Sequence, residues 1–187
     1  MCSVHTWCSR KAWAAFKLQL IEGAVREVRL EYSGEVADMD AAPVTRSFLA
    51  GLLRDVSARV NVVNAFLIAE ERGIEVTASY KHASGDFAPA IGSRVISVSG
   101  EHIVSGSLFG QSEGRITEID GFRIEAIPSG HMVLMHNQDV PGVIGRVGTI
   151  LGDGGVNISR FHLGRRERGG EAVAVIETDA RRLTSRR

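Results

Sequence analysis

His136 to Phe161 read HNQDVPGVIGRVGTILGDGGVNISRF, and the order of residue types along that stretch decides the fold of this half of the chain. Pro141 has no backbone N–H and Gly142 no Cβ, so Asp139-Val140-Pro141-Gly142 is a turn that leaves room beside the backbone. The apolar residues Val143, Ile144, Val147, Ile150 and Leu151 then recur at the i, i+3, i+4, i+7 spacing of one helix face, and Gly152, Gly154 and Gly155 end the helix. Val156 to Leu163 alternates as a strand. A strand, a glycine-lined turn, a helix and a second strand make a small-ligand regulatory site.

Working upstream, Met1 to Arg10 show no pattern and Ala12 to Ile21 (AWAAFKLQLI) is a helix candidate stopped by Gly23. Val25 to Val36 is a half-buried strand, with Val28, Leu30 and Tyr32 alternating with Glu27, Arg29, Glu31 and Ser33. Pro43 starts a helix with an apolar stripe of Phe48, Leu49, Leu52, Leu53 and Val56; Val62 to Glu71 is a second helix, closed by Gly73. Beyond Gly73 the texture changes to short strands, Ile74–Tyr80, Arg94–Val98, His102–Phe109, Arg115–Ile119 and Phe122–Ile127, the spacing of an antiparallel meander. Ser99-Gly100-Glu101-His102 reads as one hairpin turn and Asp120-Gly121 as a tight two-residue one. Pro128-Ser129-Gly130 punctuates the chain. The expected organisation is an irregular start over 1–10, a helix-covered antiparallel sheet domain over 11–128, and a second domain over 129–187, giving an α+β fold.

The composition excludes several classes of function. At 187 residues and 44% hydrophobic the chain can fill one large or two small cores. Lys plus Arg and Asp plus Glu both number 22, so no net field gathers nucleic acid or an anionic membrane, and neither is an expected partner. The crowd of Arg181, Arg182, Arg186 and Arg187 reads as a solvated basic tail. Cys2 and Cys8 are the only cysteines, too few with His5 for a four-ligand metal site, and no metal is expected. No disulfide framework, secretory signal pattern or apolar run near the roughly 18 residues of a membrane span is visible, so the expected setting is cytoplasmic.

The combination D-x-P-G-V-I-G (Asp139 to Gly145) with G-V-N-I-S (Gly155 to Ser159) resembles the ACT domain, the amino-acid-sensing module of many biosynthetic enzymes. Val25 to Asp40 (VREVRLEYSGEVADMD), Asn64 to Val76 (NAFLIAEERGIEV) and Ser105 to Val143 extend the resemblance over most of the chain, to the C-terminal regulatory region of long-form D-3-phosphoglycerate dehydrogenases. That resemblance implies an intervening allosteric domain followed by a ferredoxin-like ACT domain of order βαββαβ. His131–Asn137, Gly142–Gly152, Val156–Leu163 and Glu171–Thr178 supply its first four elements. A further helix and strand would need about twenty residues, and only Asp179 to Arg187 remain. The chain therefore reads as an ACT domain incomplete at its C-terminus, with the first strand expected at an unpaired edge and one side of the core uncovered.

An amino-acid effector needs a partner for its ammonium, donors for its carboxylate and a wall that selects its side chain. Asp139 can meet the ammonium, while the free N–H groups and positive dipole end of the helix starting near Gly142, Val143 and Ile144 can receive the carboxylate. Asn157 offers a donor and an acceptor, and Asn137 can reach a hydroxyl, the group that distinguishes serine from alanine or glycine. The resemblance implies that positions matching Asn137, Asp139 and Asn157 contact L-serine at an interface between two paired ACT domains of a homodimer; the family often has His or Tyr at Asn137. From the residues alone, Asp139 as a helix cap and Asn157 in a turn explain the same letters.

For the first domain, the resemblance implies an anion or substrate site to which Arg115 is a candidate contributor. Lys81, His82, Arg94 and Arg123 are equally well ordinary surface charges, and Phe122 stands where another cation is expected. His82, His102, His131, His136 and His162 read as structural histidines. No residue reads as catalytic, because G-x-G-x-x-G, G-x-S-x-G, H-E-x-x-H and P-loop motifs are all absent from the sequence. NAD is implied only for a full-length parent enzyme, and no cofactor is expected in this chain. The function expected is a regulatory, L-serine-binding portion of a phosphoglycerate dehydrogenase, not catalytic by itself. A standalone oligomerisation or binding module without serine sensing, or a subunit related to serine dehydratases, is the alternative.

Overall fold

The fold is seen in a computed structural model that describes residues 21, 23–38, 40–54, 59–81, 90–109 and 113–179. The candidate helix over Ala12–Ile21 lies outside these residues except for Ile21, and Met1–Arg10, His82 and the arginines from Arg181 onward lie wholly outside them.

Strand β1 (Val25–Ser33) alternates as the sequence reading requires, with Val28, Leu30 and Tyr32 buried. It stops at Gly34, whose φ of 68° turns the chain into a short 3-10 turn over Gly34–Val36. Helix α1 (Ala42–Leu52) starts with Pro43 in its first turn and buries Val44, Phe48, Leu49 and Leu52 against β1. The Tyr32 hydroxyl, inside that layer, has the Thr45 Oγ1 at 2.7 Å, which satisfies both buried groups. Helix α2 (Ala65–Glu71) begins three residues later than the sequence pattern expects. Asn61 and Asn64 explain the delay: the Asn61 N–H donates to Asn64 Oδ1, and the Val63 and Asn64 N–H groups donate to Asn61 Oδ1, so side chains claim the backbone of this turn before the helix can.

Strands β2 (Glu75–Lys81), β3 (Ala90–Ser97), β4 (Gly100–Phe109), β5 (Glu113–Ile119) and β6 (Phe122–Ala126) complete a six-stranded sheet of order β2-β1-β3-β4-β5-β6. From β3 to β6 it is the expected antiparallel meander. β2 departs from it, running parallel to β1 at the far edge. The reason is the connection: two helices separate β1 from β2, and a helical crossover returns the chain in the same direction. The β5–β6 turn has Asp120 at φ 48° and Gly121 at φ 81°, the two positive values a tight two-residue hairpin needs.

A second sheet follows, of order β7-β9-β8 and antiparallel throughout, from β7 (His131–Gln138), β8 (Ile158–Arg165) and β9 (Glu171–Thr178). Helix α3 (Val143–Asp153) joins β7 to β8 and lays Leu151 and Val147 on Ala174 and Ile176 of β9. This is the α+β, ferredoxin-like arrangement, with β7 at one end and β8 at the other among the described residues. Val133 on β7 and Ile150 on α3 are exposed apolar residues on the helix side. The opposite face of β9 is covered as well. Val173 and Val175 join Met132 in a cluster with Val104, Ile116, Ile119, Phe122 and Ile124 of the first sheet, so the two sheets share one core and β9 is buried on both faces. Among the described residues, no helix is long and apolar enough to cross a membrane.

Candidate effector site

The strand-to-helix turn that follows β7 is held from two sides. The Asp139 N–H donates to the Gly170 carbonyl on the β8–β9 turn (2.8 Å), and the Val140 N–H closes back on the Gln138 carbonyl (2.9 Å). Gly142 sits at φ 89°, and a Cβ there would also approach the Arg146 guanidinium at 3.4 Å. No side chain caps α3, whose first turn therefore presents N–H groups without a side-chain acceptor. Asp139 is thus no helix cap. Its Oδ2 accepts from Arg165 Nη1 (2.5 Å) at the end of β8 and from the Gly169 N–H (3.3 Å) on the segment joining β8 to β9. The Arg165 hydrogen bond, and after it the Gly169 one, hold the Asp139 carboxyl below its ordinary value.

Between this turn, the end of β7 and the β8–β9 segment lies an open cleft of about 500 Å³. Asn137, Asp139, Gly142, Val143 and Ile144, expected from the sequence to serve one site, all line it. Met135, Val140, Pro141 and Leu163 supply apolar walls, Arg165 and Arg168 a cationic rim, and Gly169 backbone beside it. The Asn137 amide is fixed by its Nδ2 donating to the Gln138 carbonyl (2.7 Å), and its Oδ1 is buried without a hydrogen-bond partner. A buried acceptor without a partner is costly, and a side-chain rotation that offered it to a donor would relieve that cost.

Asn157 is not brought to this cleft. It lies at the opposite end of β8, where its Nδ2 donates to Asp179 Oδ2 (2.8 Å). Arg115 is in β5 of the other sheet, 3.5 Å from Glu125. The other cations weighed with it are not gathered around it: Lys81 pairs with Glu31 at 2.8 Å, Arg94 with Glu101, and Arg123 is opposite Glu118 in the β5–β6 register. His102 meets Asp120 at 2.9 Å, and His162 lies 3.6 Å from the buried Glu177. Among the described residues, no group of three or more His, Cys, Asp or Glu could hold a metal ion. The arginines of the cleft were missed by the sequence reading. The G-R-R-E-R-G-G run from Gly164 to Gly170 was the signal available, but only the β7–β9 pairing sets that run beside Asp139.

Among the described residues, the glycine run Gly152 to Gly155 leads into β8, not into the helix of a phosphate-cradling turn, and α3 joins β7 to a strand with β9 between them.

Comparison with known proteins bears on both sheets. The family model described as the D-3-phosphoglycerate dehydrogenase intervening domain matches residues 11–120, and that of the ACT domain matches residues 131–185. The D-3-phosphoglycerate dehydrogenase of Bacillus subtilis is 36% identical over 162 residues, covering 86% of this chain and 31% of that protein. The enzyme of the same name from Methanocaldococcus jannaschii is 36% identical over 163 residues, covering 87% and 31%. A chloroplastic one from Arabidopsis thaliana is 29% identical over 185 residues, covering 87% and 30%. The chain thus spans just under a third of the length of these relatives.

Proposed function

The chain belongs to the D-3-phosphoglycerate dehydrogenase intervening-domain family and carries an ACT domain after it, and on that premise we propose that it is a regulatory region, divided into domains 11–128 and 129–187, that binds L-serine as a feedback effector in the cytoplasm. The observation that carries this reading is that Asn137, whose Oδ1 has no hydrogen-bond partner, and Asp139 line the same cleft. Each group of serine has a counterpart. The hydroxyl donates to Asn137 Oδ1. The ammonium meets Asp139, whose two protein hydrogen bonds both go to Oδ2 and leave Oδ1 to the ligand. The carboxylate faces Arg165, Arg168 and the N–H groups at the start of α3.

The position of Asn157 supports a paired site. β8 is an edge strand among the described residues, with Asn157 before its start and Arg165 at its end. Antiparallel pairing of two such edges about a twofold axis would carry Asn157 of the partner subunit toward the Arg165 end, and so toward the cleft. Serine would then favour one arrangement of the joined subunits by its difference in affinity between arrangements, a coupling of about 1–3 kcal/mol in typical cases. The reading assigns this region no catalytic residue and no cofactor. Oxidation of the enzyme's substrate with NAD falls to the part of the relatives that this chain does not match.

Titration calorimetry with L-serine and L-alanine, with sedimentation on the same samples, tests this. Serine binds more tightly than alanine. Asn137→Ala removes most of that preference, about tenfold for one hydroxyl hydrogen bond, and Asp139→Ala abolishes binding of both. A folded chain that gives no serine heat at millimolar ligand would sink the reading and leave an assembly module.

A further inference from the structure

We propose that the outer edge of β2 is a docking edge for a second copy of this chain, the two β2 strands pairing antiparallel about a twofold axis at Ala78 so that two six-stranded sheets become one. The edge is open: β2 is the last strand of its sheet, and among the described residues its outer N–H and C=O groups meet no other strand. Natural sheets guard such edges with a proline, a bulge or a charge in mid-strand. β2 has none of these. Val76-Thr77-Ala78-Ser79-Tyr80 is uncharged, and its register against β1 runs without a shift. Every β2 residue but Val76 is exposed, so no layer of the described structure covers the strand.

The sequence of the strand is complementary to itself when reversed. With Ala78 on the axis, Glu75 stands opposite the partner's Lys81 at each end, Thr77 opposite the partner's Ser79, and Val76 opposite the partner's Tyr80. Those are an opposite-charge pair, a hydroxyl pair and an aromatic with a β-branched residue, the three kinds of cross-strand pair that stabilise an antiparallel ladder. Within one chain the register partner of Glu75 on β1 is Glu27, whose charge Arg29 already holds, and Glu75 makes no ion pair of its own among the described residues. Lys81 holds Glu31 at 2.8 Å, but both side chains are solvent-exposed, so the ammonium can serve a second carboxylate at little cost. Tyr80 stacks on Tyr32 at 5.5 Å between centroids and still leaves 45% of its surface exposed. Beside the edge, α2 carries exposed Phe66 and Leu67, which extend the apolar surface available to the second copy.

Site-directed cross-linking tests the contact separately from any association through β8. The whole chain is prepared with Cys2→Ser, Cys8→Ser and Ala78→Cys, its fold is checked by circular dichroism, and it is treated with a short bis-maleimide. The two introduced thiols meet on the axis, and a covalent dimer forms. Adding Glu75→Lys or Lys81→Glu sets like charges opposite each other at both ends and weakens the pairing by about tenfold. Adding both restores it, because the strand is again self-complementary with the signs exchanged. A folded Ala78→Cys chain that gives no covalent dimer overturns the proposal, as does a yield that ignores the single and double charge reversals.

Discussion

Asp139 takes both of its hydrogen bonds on one carboxylate oxygen. Oδ2 ties the turn after β7 to Arg165 and Gly169, while Oδ1 is the oxygen that the proposed reading assigns to the ligand. Because the Arg165 and Gly169 bonds lower the folded-state value of this carboxyl, its stabilising contribution is fully present above the ordinary carboxylate value and is lost as pH falls through the lowered one. Urea denaturation across acid pH should therefore show the parent more stable than Asp139→Asn near neutrality. The difference should shrink to nothing once Asp139 is protonated in the folded chain. A gap that persists unchanged at the lowest pH would mean that the ion pair is not its source. Gly142 and Asn137 were legible as residues because their chemistry is local, a left-handed backbone and a short amide. Arg165 and Arg168 were not, since nothing local marks an arginine that faces a cleft.

At the scale of elements, the position that most constrains the joining of the sheets is Gly164 in β8. A Cβ built there would fall inside contact distance of the Arg123 carbonyl oxygen on β6, a backbone atom that has nowhere to turn. Gly164→Ala should destabilise the chain by about 1–3 kcal/mol, read as a drop in the urea midpoint. An unchanged midpoint would show that β6 and β8 do not pack this closely in solution. β9 explains why such closeness matters: its Val173 and Val175 face the first sheet and its Ala174 and Ile176 face α3. Strand β9 was legible as the fourth element of the order that the family resemblance implies, while the register that brings Gly170 to Asp139 was not, because pairing depends on a partner strand far away in sequence.

Across the whole molecule, the end of β8 and the β8–β9 segment join the cleft to the first sheet. Arg165 and Gly169 hold Asp139 at the cleft, while Arg166 between them reaches the other sheet, donating to the Asp120 carbonyl at 2.7 Å and lying 4.5 Å over the Phe122 ring. A ligand that draws Arg165 away from Asp139 therefore pulls on the same segment that grips the β5–β6 hairpin. Arg166→Ala should cost about 1–2 kcal/mol of stability from the lost hydrogen bond and cation–π contact. Measured by calorimetry, it should leave the affinity for serine within a few fold of the parent, because Arg166 does not line the cleft. Abolished binding with the fold intact would place Arg166 in the site itself. At the far end of β9 from the segment, the buried Glu177 accepts from Ser129 Oγ at 3.2 Å and lies 3.5 Å from the Arg160 guanidinium.

The sequence by itself determined the element types and most of their order. It also determined the turn at Pro141-Gly142, the α+β class and the group of Asn137, Asp139, Gly142, Val143 and Ile144, because periodicity, glycine conformation and short-range chemistry are written within a few residues. Only the tertiary structure decided that β2 returns parallel to β1, that the second face of β9 is closed by the first sheet, and that Arg165 neutralises Asp139. It also decided that Asn157 stands at the far end of β8 from the cleft. Each of those facts depends on which distant segments meet, and that is set by the free energy of burying whole faces together, a quantity that no stretch of letters carries alone.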